Sequence, residues 1–170
     1  MRRLIQLFLT ALFLIAVGLV VGGAPASASS GGYYQIVNKA SGQCLDVKQE
    51  DGANTPGARV QLWKCTGVAE QQWAPIYQGN GYYRLVSKKS GQCLDIRGGN
   101  STPGTPIQQY PCNGTWAQNW LPTSYFSGGP VFGEIISGLS AACVDETGNG
   151  TGFAMEWTCQ GNNAQLWDFQ

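Results

Sequence analysis

The hexapeptide Ser90-Gly-Gln-Cys93-Leu-Asp95 repeats Ser41-Gly-Gln-Cys44-Leu-Asp46 letter for letter, and a worn third copy reads Ser140-Ala-Ala-Cys143-Val-Asp145. Each is preceded by a short apolar run: Tyr34-Gln-Ile-Val, Tyr83-Arg-Leu-Val and Gly133-Glu-Ile-Ile. Each continues through a loop to an aromatic-x-Cys step, at Trp63-Lys-Cys65, Tyr110-Pro-Cys112 and Trp157-Thr-Cys159. Each closes on Gln-x-Trp, at Gln71-Gln-Trp73, Gln118-Asn-Trp120 and Gln165-Leu-Trp167. The second Cys and the final Trp stand 8 residues apart in all three copies, and successive final Trp residues stand 47 apart both times. A spacing held this closely is an internal repeat, not coincidence.

Within a copy the β-branched and aromatic runs are short and end at polar, Gly-containing turns such as Lys39-Ala-Ser-Gly42, which is the pattern of strands. Beyond the first 28 residues no stretch keeps a helical apolar period. A unit this short with so few strands cannot bury its own apolar face, but three stacked units can. The reading is one all-β domain.

The 170-residue chain holds ten basic and ten acidic residues, 12% charged in all, against about a quarter in an ordinary soluble domain. That neutrality excludes the basic footprint of a nucleic-acid binder. The absence of His removes His-based catalysis and His metal ligands.

Met1-Arg2-Arg3 opens a largely apolar stretch to Val21, and Ala26-Ser27-Ala28 follows as a small-x-small cleavage site. This is the order of a secretory signal peptide, so residues 1–28 are expected to be removed, leaving 29–170 as the secreted, extracellular domain with no membrane attachment. All six Cys lie after residue 40, as suits an oxidising compartment.

The Cys-x-Asp, aromatic-x-Cys and Gln-x-Trp series resembles the ricin B-type lectin family, a class of carbohydrate-binding module, over Tyr33 to Gln170. The resemblance implies a β-trefoil with three pseudo-symmetric lobes: a six-stranded barrel capped by three hairpins, one copy per lobe. With one Cys pair per copy, repeat symmetry selects Cys44–Cys65, Cys93–Cys112 and Cys143–Cys159 among the fifteen possible connectivities. Each link closes a loop worth about 3 kcal/mol in the chain-entropy picture. No Cys-x-x-Cys spacing points to a metal, and no cofactor is expected. Trp73, Trp120 and Trp167 are read as core, and Gln71, Gln118 and Gln165 as satisfiers of buried backbone groups. Trp116 lies outside the repeat and has no assigned role.

A sugar offers hydroxyls that donate and accept and a C–H ring face that is apolar. A site therefore needs a carboxylate, an amide and an aromatic plate. Carried over from the family by position, lobe one supplies Asp46, Gln61, Trp63 and Glu70. Lobe two supplies Asp95, Gln108 and Tyr110, with Ala117 at the position of Glu70. Lobe three supplies Asp145 and Trp157, with Met155 and Ala164 at the remaining places. The family's Asn before Gln-x-Trp is missing from every lobe, and Glu70 would set a second carboxylate beside Asp46. Lobe one keeps most of the set and ranks first, lobe three last. The aspartates have a purely structural alternative as turn-fixing residues. Asn100, Asn113 and Asn149 each begin an Asn-x-Ser/Thr pattern of the kind that arises by chance in such loops.

The expected function is a monomeric, non-catalytic lectin for galactose- or xylose-type units of a polysaccharide or glycan. Single sites are weak, about millimolar, and strengthened when several lobes grip one polymer. The alternative is a trefoil that has lost its sugar sites and binds or inhibits a protein partner.

Overall fold

The computed structural model describes residues 32–125, 131–146 and 152–170. The expected leader at 1–28 and the Asn149 pattern lie outside the described residues.

Each sequence copy becomes four short strands. Lobe one holds β1 (Tyr34–Asn38), β2 (Cys44–Val47), β3 (Val60–Trp63) and β4 (Gln72–Gly79). Lobe two holds β5 (Tyr82–Ser87), β6 (Cys93–Ile96), β7 (Ile107–Tyr110) and β8 (Trp120–Pro122). Lobe three holds β9 (Ile135–Ser137), β10 (Cys143–Asp145), β11 (Met155–Trp157) and β12 (Trp167–Phe169). The first and last strands of every lobe build a barrel in which β12 pairs β1, β1 pairs β4, β4 pairs β5, β5 pairs β8 and β8 pairs β9, all antiparallel. Gly133 and Trp167 exchange backbone hydrogen bonds of 3.0 and 2.8 Å, which closes the ring. Closure matters because an open sheet would expose unpaired edges.

The inner strands β2–β3, β6–β7 and β10–β11 form three hairpins. These meet at one end of the barrel through bridges from Arg59 to Gln108, Pro106 to Met155 and Gln61 to Phe153. The fold is thus an all-β trefoil with three pseudo-symmetric lobes.

Alternation along the strands decides what is buried. In β5, Tyr83, Leu85 and Ser87 point inward while Tyr82, Arg84 and Val86 remain half-buried. The core gathers Leu45, Leu85, Leu94, Ile107, Val144 and their neighbours around Trp73, Trp120 and Trp167. Each of those indoles donates its Nε1–H to the carbonyl just after the first Cys of its own lobe: Trp73 to Leu45 at 3.1 Å, Trp120 to Leu94 at 3.0 Å and Trp167 to Val144 at 3.0 Å. The polar edge of the ring is therefore satisfied inside an apolar core.

The disulfides are Cys44–Cys65, Cys93–Cys112 and Cys143–Cys159, with Cα separations of 5.2, 5.1 and 5.0 Å. Among the described residues no helix is long and apolar enough to cross a membrane.

Candidate functional site

Strand register explains the first contact of the site. Pairing of β2 with β3 sets Asp46 opposite Gln61, and pairing of β6 with β7 sets Asp95 opposite Gln108. Gln61 Nε2 donates to Asp46 Oδ1 at 2.9 Å, and Gln108 Nε2 donates to Asp95 Oδ1 at 2.8 Å. In lobe three the same register sets Asp145 opposite Met155, whose side chain has no amide to give.

The second contact comes from Gln-x-Trp. Gln118 Nε2 donates to Asp95 Oδ2 at 3.0 Å and to the Pro111 carbonyl at 3.0 Å, while its Oε1 accepts from Asn113 N at 2.9 Å. Gln165 repeats this with Asp145 Oδ2 at 2.7 Å, the Thr158 carbonyl at 2.9 Å and Gln160 N at 2.7 Å. Gln71 clamps its own loop through the Lys64 carbonyl (2.9 Å) and Thr66 N (2.8 Å), and also hydrogen-bonds Asp46. These glutamines satisfy the backbone as expected. Their additional grip on the aspartate was not visible in the sequence, although a Gln 6 residues after the second Cys of every lobe was a signal for a shared role.

Asp46 and Asp95 are buried, yet their oxygens are held by side-chain amides. An aspartate clamped in this way keeps lone pairs for incoming hydroxyl donors. Burial raises the pKa of both Asp46 and Asp95 above the ordinary aspartate value, and the amide hydrogen bonds offset only part of that rise. Asp46 is pushed further up by the charges of Glu70 and Glu50.

The aromatic two residues before the second Cys stands open in each lobe: Trp63 is 58% exposed, Tyr110 41% and Trp157 36%. In lobe one, Asp46, Gln61 and Trp63 converge on a cavity of about 260 Å³ that is also lined by Lys48, Gln49 and Glu50. In lobe two, Asp95, Gln108 and Tyr110 line a cavity of about 630 Å³ shared with Gly98, Gly99, Asn113, Thr115, Trp116 and Leu139. In lobe three, Asp145 is held by Gln165, and Trp157 leans toward lobe two, where a Cβ on Gly104 would lie 3.2 Å from its ring.

Glu70 does not line the cavity with Asp46, although its charge still reaches that carboxylate and raises its pKa as a second carboxylate nearby would. Its carboxylate forms an ion pair with Lys89 Nζ at 3.0 Å, across the boundary between lobes one and two. Burial works against ionisation, but the Lys89 ammonium and a backbone hydrogen bond outweigh it and hold Glu70 below the usual glutamate range. The second carboxylate lining the lobe-one cavity is instead Glu50, bound to Lys48 at 3.1 Å. Neither Lys48 nor Glu50 was marked by the repeat, since both sit in a loop where the copies diverge.

Asn113 and Asn100 each close a local turn. Asn113 Oδ1 accepts from Thr115 N at 3.0 Å and Oγ1 at 2.8 Å, and Asn100 accepts from Thr102 N and Oγ1 at 3.1 and 2.8 Å. Their Asn-x-Thr spacing thus has a structural use. Among the described residues, Glu134 lies with Cys143 and Cys159 in a cluster of metal-ligand type, but both sulfurs are locked in a disulfide and offer no thiolate.

A sequence profile described as a ricin-type β-trefoil lectin domain-like family matches residues 21–110, and that of the ricin-type β-trefoil lectin domain matches residues 81–170. No curated protein matches the chain in sequence. Among solved structures, the designed three-fold symmetric protein ThreeFoil is 28% identical with a TM-score of 0.73, the match covering 82% of this chain and 98% of ThreeFoil. An exo-β-1,3-galactanase from Clostridium thermocellum is 30% identical with a TM-score of 0.73, covering 83% of this chain but only 30% of the enzyme. A Polyporus squamosus lectin, solved with the epitope Neu5Acα2-6Galβ1-4GlcNAc, shares the fold at 21% identity and a TM-score of 0.69, covering 83% of this chain and 49% of that one.

Proposed function

The chain belongs to the ricin-type β-trefoil lectin family and is a carbohydrate-binding module, and we propose that it is a secreted, non-catalytic lectin for galactose- or xylose-type units with lobe two as its principal site. One observation carries this reading. In lobe two an amide-clamped carboxylate and an exposed ring plane line the same cavity, wide enough at about 630 Å³ for a ligand. Asp95 accepts from neighbouring hydroxyls, while Gln108 and Gln118 fix its orientation. Tyr110 offers a plane for the apolar face of the ring. Lobe one carries the same elements around a narrower cavity and adds a weaker contact, so a polymer that engages both lobes gains avidity.

Several features support a binding rather than a catalytic role. In lobe one Glu50, the second carboxylate beside Asp46, is ion-paired with Lys48, and in lobe two Asp95 is the only carboxylate among the described residues that line the cavity. A two-carboxylate hydrolase needs a pair across the scissile bond. The match to the galactanase spans under a third of that enzyme, so its activity is not carried over. The removal of residues 1–28 and secretion of 29–170 belong to the same proposal, supported by three disulfides and the leader's composition.

The test is retention on insoluble xylan and on β-1,3-galactan, together with a glycan array. Binding to one of them is expected, and Asp95→Asn should weaken it about tenfold or more, since a hydrogen bond to a charged acceptor is worth about 1.5–3 kcal/mol. Because the native pKa of Asp95 is raised, its carboxylate form is lost on acidification before an ordinary aspartate would protonate. Retention should therefore fall as pH drops through that raised value. No binding to either polymer or to the array would overturn the proposal. Capture of a protein that Asp95→Asn leaves untouched would favour the interaction-trefoil alternative, whose motivation is the missing Asn at Glu70, Ala117 and Ala164.

A further inference from the structure

Lobe two differs from lobe one in three places that all act on the same cavity. Lobe one has Lys48-Gln49-Glu50, with Gln49 and Glu50 in a right-handed 3₁₀ turn, where lobe two has Arg97-Gly98-Gly99, with Gly98 and Gly99 at φ +66° and +62°. Two successive left-handed residues are open to glycine and costly for others, so no side chain fills that rim. Glu70 and Lys89 form a charged pair in lobe one, whereas Ala117 and Leu139 stand at the same places in lobe two and line its cavity. The third change is Trp116, which has Ala69 and Asn163 as its counterparts in the other lobes.

Trp116 is 55% exposed and lines the cavity. It is not a loose surface ring. It packs edge-on against Tyr82, with centroids 5.6 Å apart and planes at 85°. It also rests on bare backbone at Gly138, where a Cβ would come within 3.0 Å of its Cε3. It opens the single 3₁₀ turn Trp116–Gln118, whose last residue clamps Asp95. An exposed large aromatic held on both sides, two residues from the Gln that clamps a carboxylate, is preorganised for contact.

We infer that Trp116 is a second stacking platform beside Tyr110, which makes lobe two a site for at least two linked neutral sugar rings rather than one. The inference rests on the lectin reading above. The cavity falls within the range of about 300–1,000 Å³ typical of sites that enclose ligands larger than a single ring, while that of lobe one falls below it. The ligand is neutral because Asp95 repels an anionic sugar, while Arg97, two residues beyond Asp95, spends its Nε–H on Gln108 Oε1 at 3.0 Å and a second N–H on the Gly57 carbonyl at 2.9 Å.

The test is calorimetric titration of the mature chain and of Trp116→Ala with galactose, xylose, β-1,3-galactobiose and β-1,4-xylobiose. The wild type should prefer one disaccharide over its monosaccharide by about tenfold, and Trp116→Ala should reduce that ratio to about two or less. Trp116→Phe, which keeps a ring, should restore most of it. An unchanged ratio in Trp116→Ala would overturn the inference while leaving the lectin reading standing. Equal losses for mono- and disaccharide would also overturn it, because they would mark Trp116 as a prop for Gln118 and Asp95. If the wild type binds none of the four sugars, the lectin reading for this sugar class fails, and the inference with it.

Discussion

Lobes two and three share a skeleton but not a surface. Both bury a tryptophan whose indole N–H meets a backbone carbonyl at 3.0 Å, both close the same disulfide, and both bring a Gln to the aspartate of Cys-x-Asp. They part at the next layer out. Gly91, Gln108 and Gln109 of lobe two correspond to Ala141, Met155 and Glu156 of lobe three. Each change removes a polar or conformational fit that lobe two retains: the second amide on the aspartate, the donor that ties the hairpin to its neighbour, and the residue suited to a left-handed turn. The difference separates what closes the barrel, which every lobe must supply, from what the proposed lobe-two site draws on, which a lobe can lose without losing the fold.

The largest test of that separation lies in the core. If the skeleton is equivalent, Trp120→Ala and Trp167→Ala should each cost about 3–5 kcal/mol, and the two values should agree to within about 1 kcal/mol. Guanidinium midpoints provide the measurement, with Trp→Phe variants as milder companions should truncation leave no folded population. A much smaller loss at Trp167 would show that lobe three has decayed in its core as well as on its surface.

The trefoil was legible because its constraints are local and repeated: a strand, a turn, a Cys, a Trp at fixed spacing. Asp95, Gln108 and Tyr110 were legible for the same reason, since they occupy fixed offsets on two paired strands. What escaped depends on neighbours outside the copy. Glu70 forms an ion pair with Lys89 of the next lobe, and no pattern within lobe one announces that lysine. The lobe-two cavity is wide because Gly98-Gly99 leaves a rim empty and Leu139 arrives from lobe three, so it reads as unremarkable loop in a linear sequence. The ranking of lobe one ahead of lobe two rests on the number of matched residues, and counting matches says nothing about the space between them.

A middle-sized test concerns Glu156. At its place in lobe two, Gln109 is fully buried and donates both of its amide hydrogens, to the Ala53 and Thr55 carbonyls at 3.0 Å each, while Ser90 Oγ donates to its Oε1 at 2.7 Å. Glu156 keeps the equivalent serine bond, from Ser140 Oγ at 2.8 Å, but its buried Oε1 has no hydrogen-bond partner among the described residues. Burial raises its pKa, and the Ser140 bond offsets part of the rise. A carboxyl whose native pKa exceeds its unfolded value favours the native state when protonated. That contribution is complete below the ordinary glutamate value and disappears as pH rises through the native one. Glu156→Gln should therefore stabilise the chain at neutral pH by about 1–2 kcal/mol and flatten stability across that window, as read by denaturant midpoints at several pH values. No gain at neutral pH would show that the lobe-three position has found its own solution.

The smallest effect lies in the turn before each first Cys. Gly42 and Gly91 take φ of +66° and +70° there, and Ala141 is held in the same left-handed conformation at φ +58°. A Cβ in that region crowds the following carbonyl and costs about 1 kcal/mol, whereas glycine occupies it freely. Backbone hydrogen bonds keep the turn in shape regardless, with Gly91 N donating to Ser87 O at 2.9 Å and Ala141 N to Ser137 O at 3.0 Å. Ala141→Gly should thus raise the denaturation midpoint of the chain by an amount equivalent to about 1 kcal/mol, less the small entropic cost of a freer unfolded chain. The mirror change, Gly91→Ala, should lower it by a similar amount. If Ala141→Gly instead destabilises, the lobe-three turn has relaxed around its alanine, and lobes two and three differ in backbone as well as in side chains.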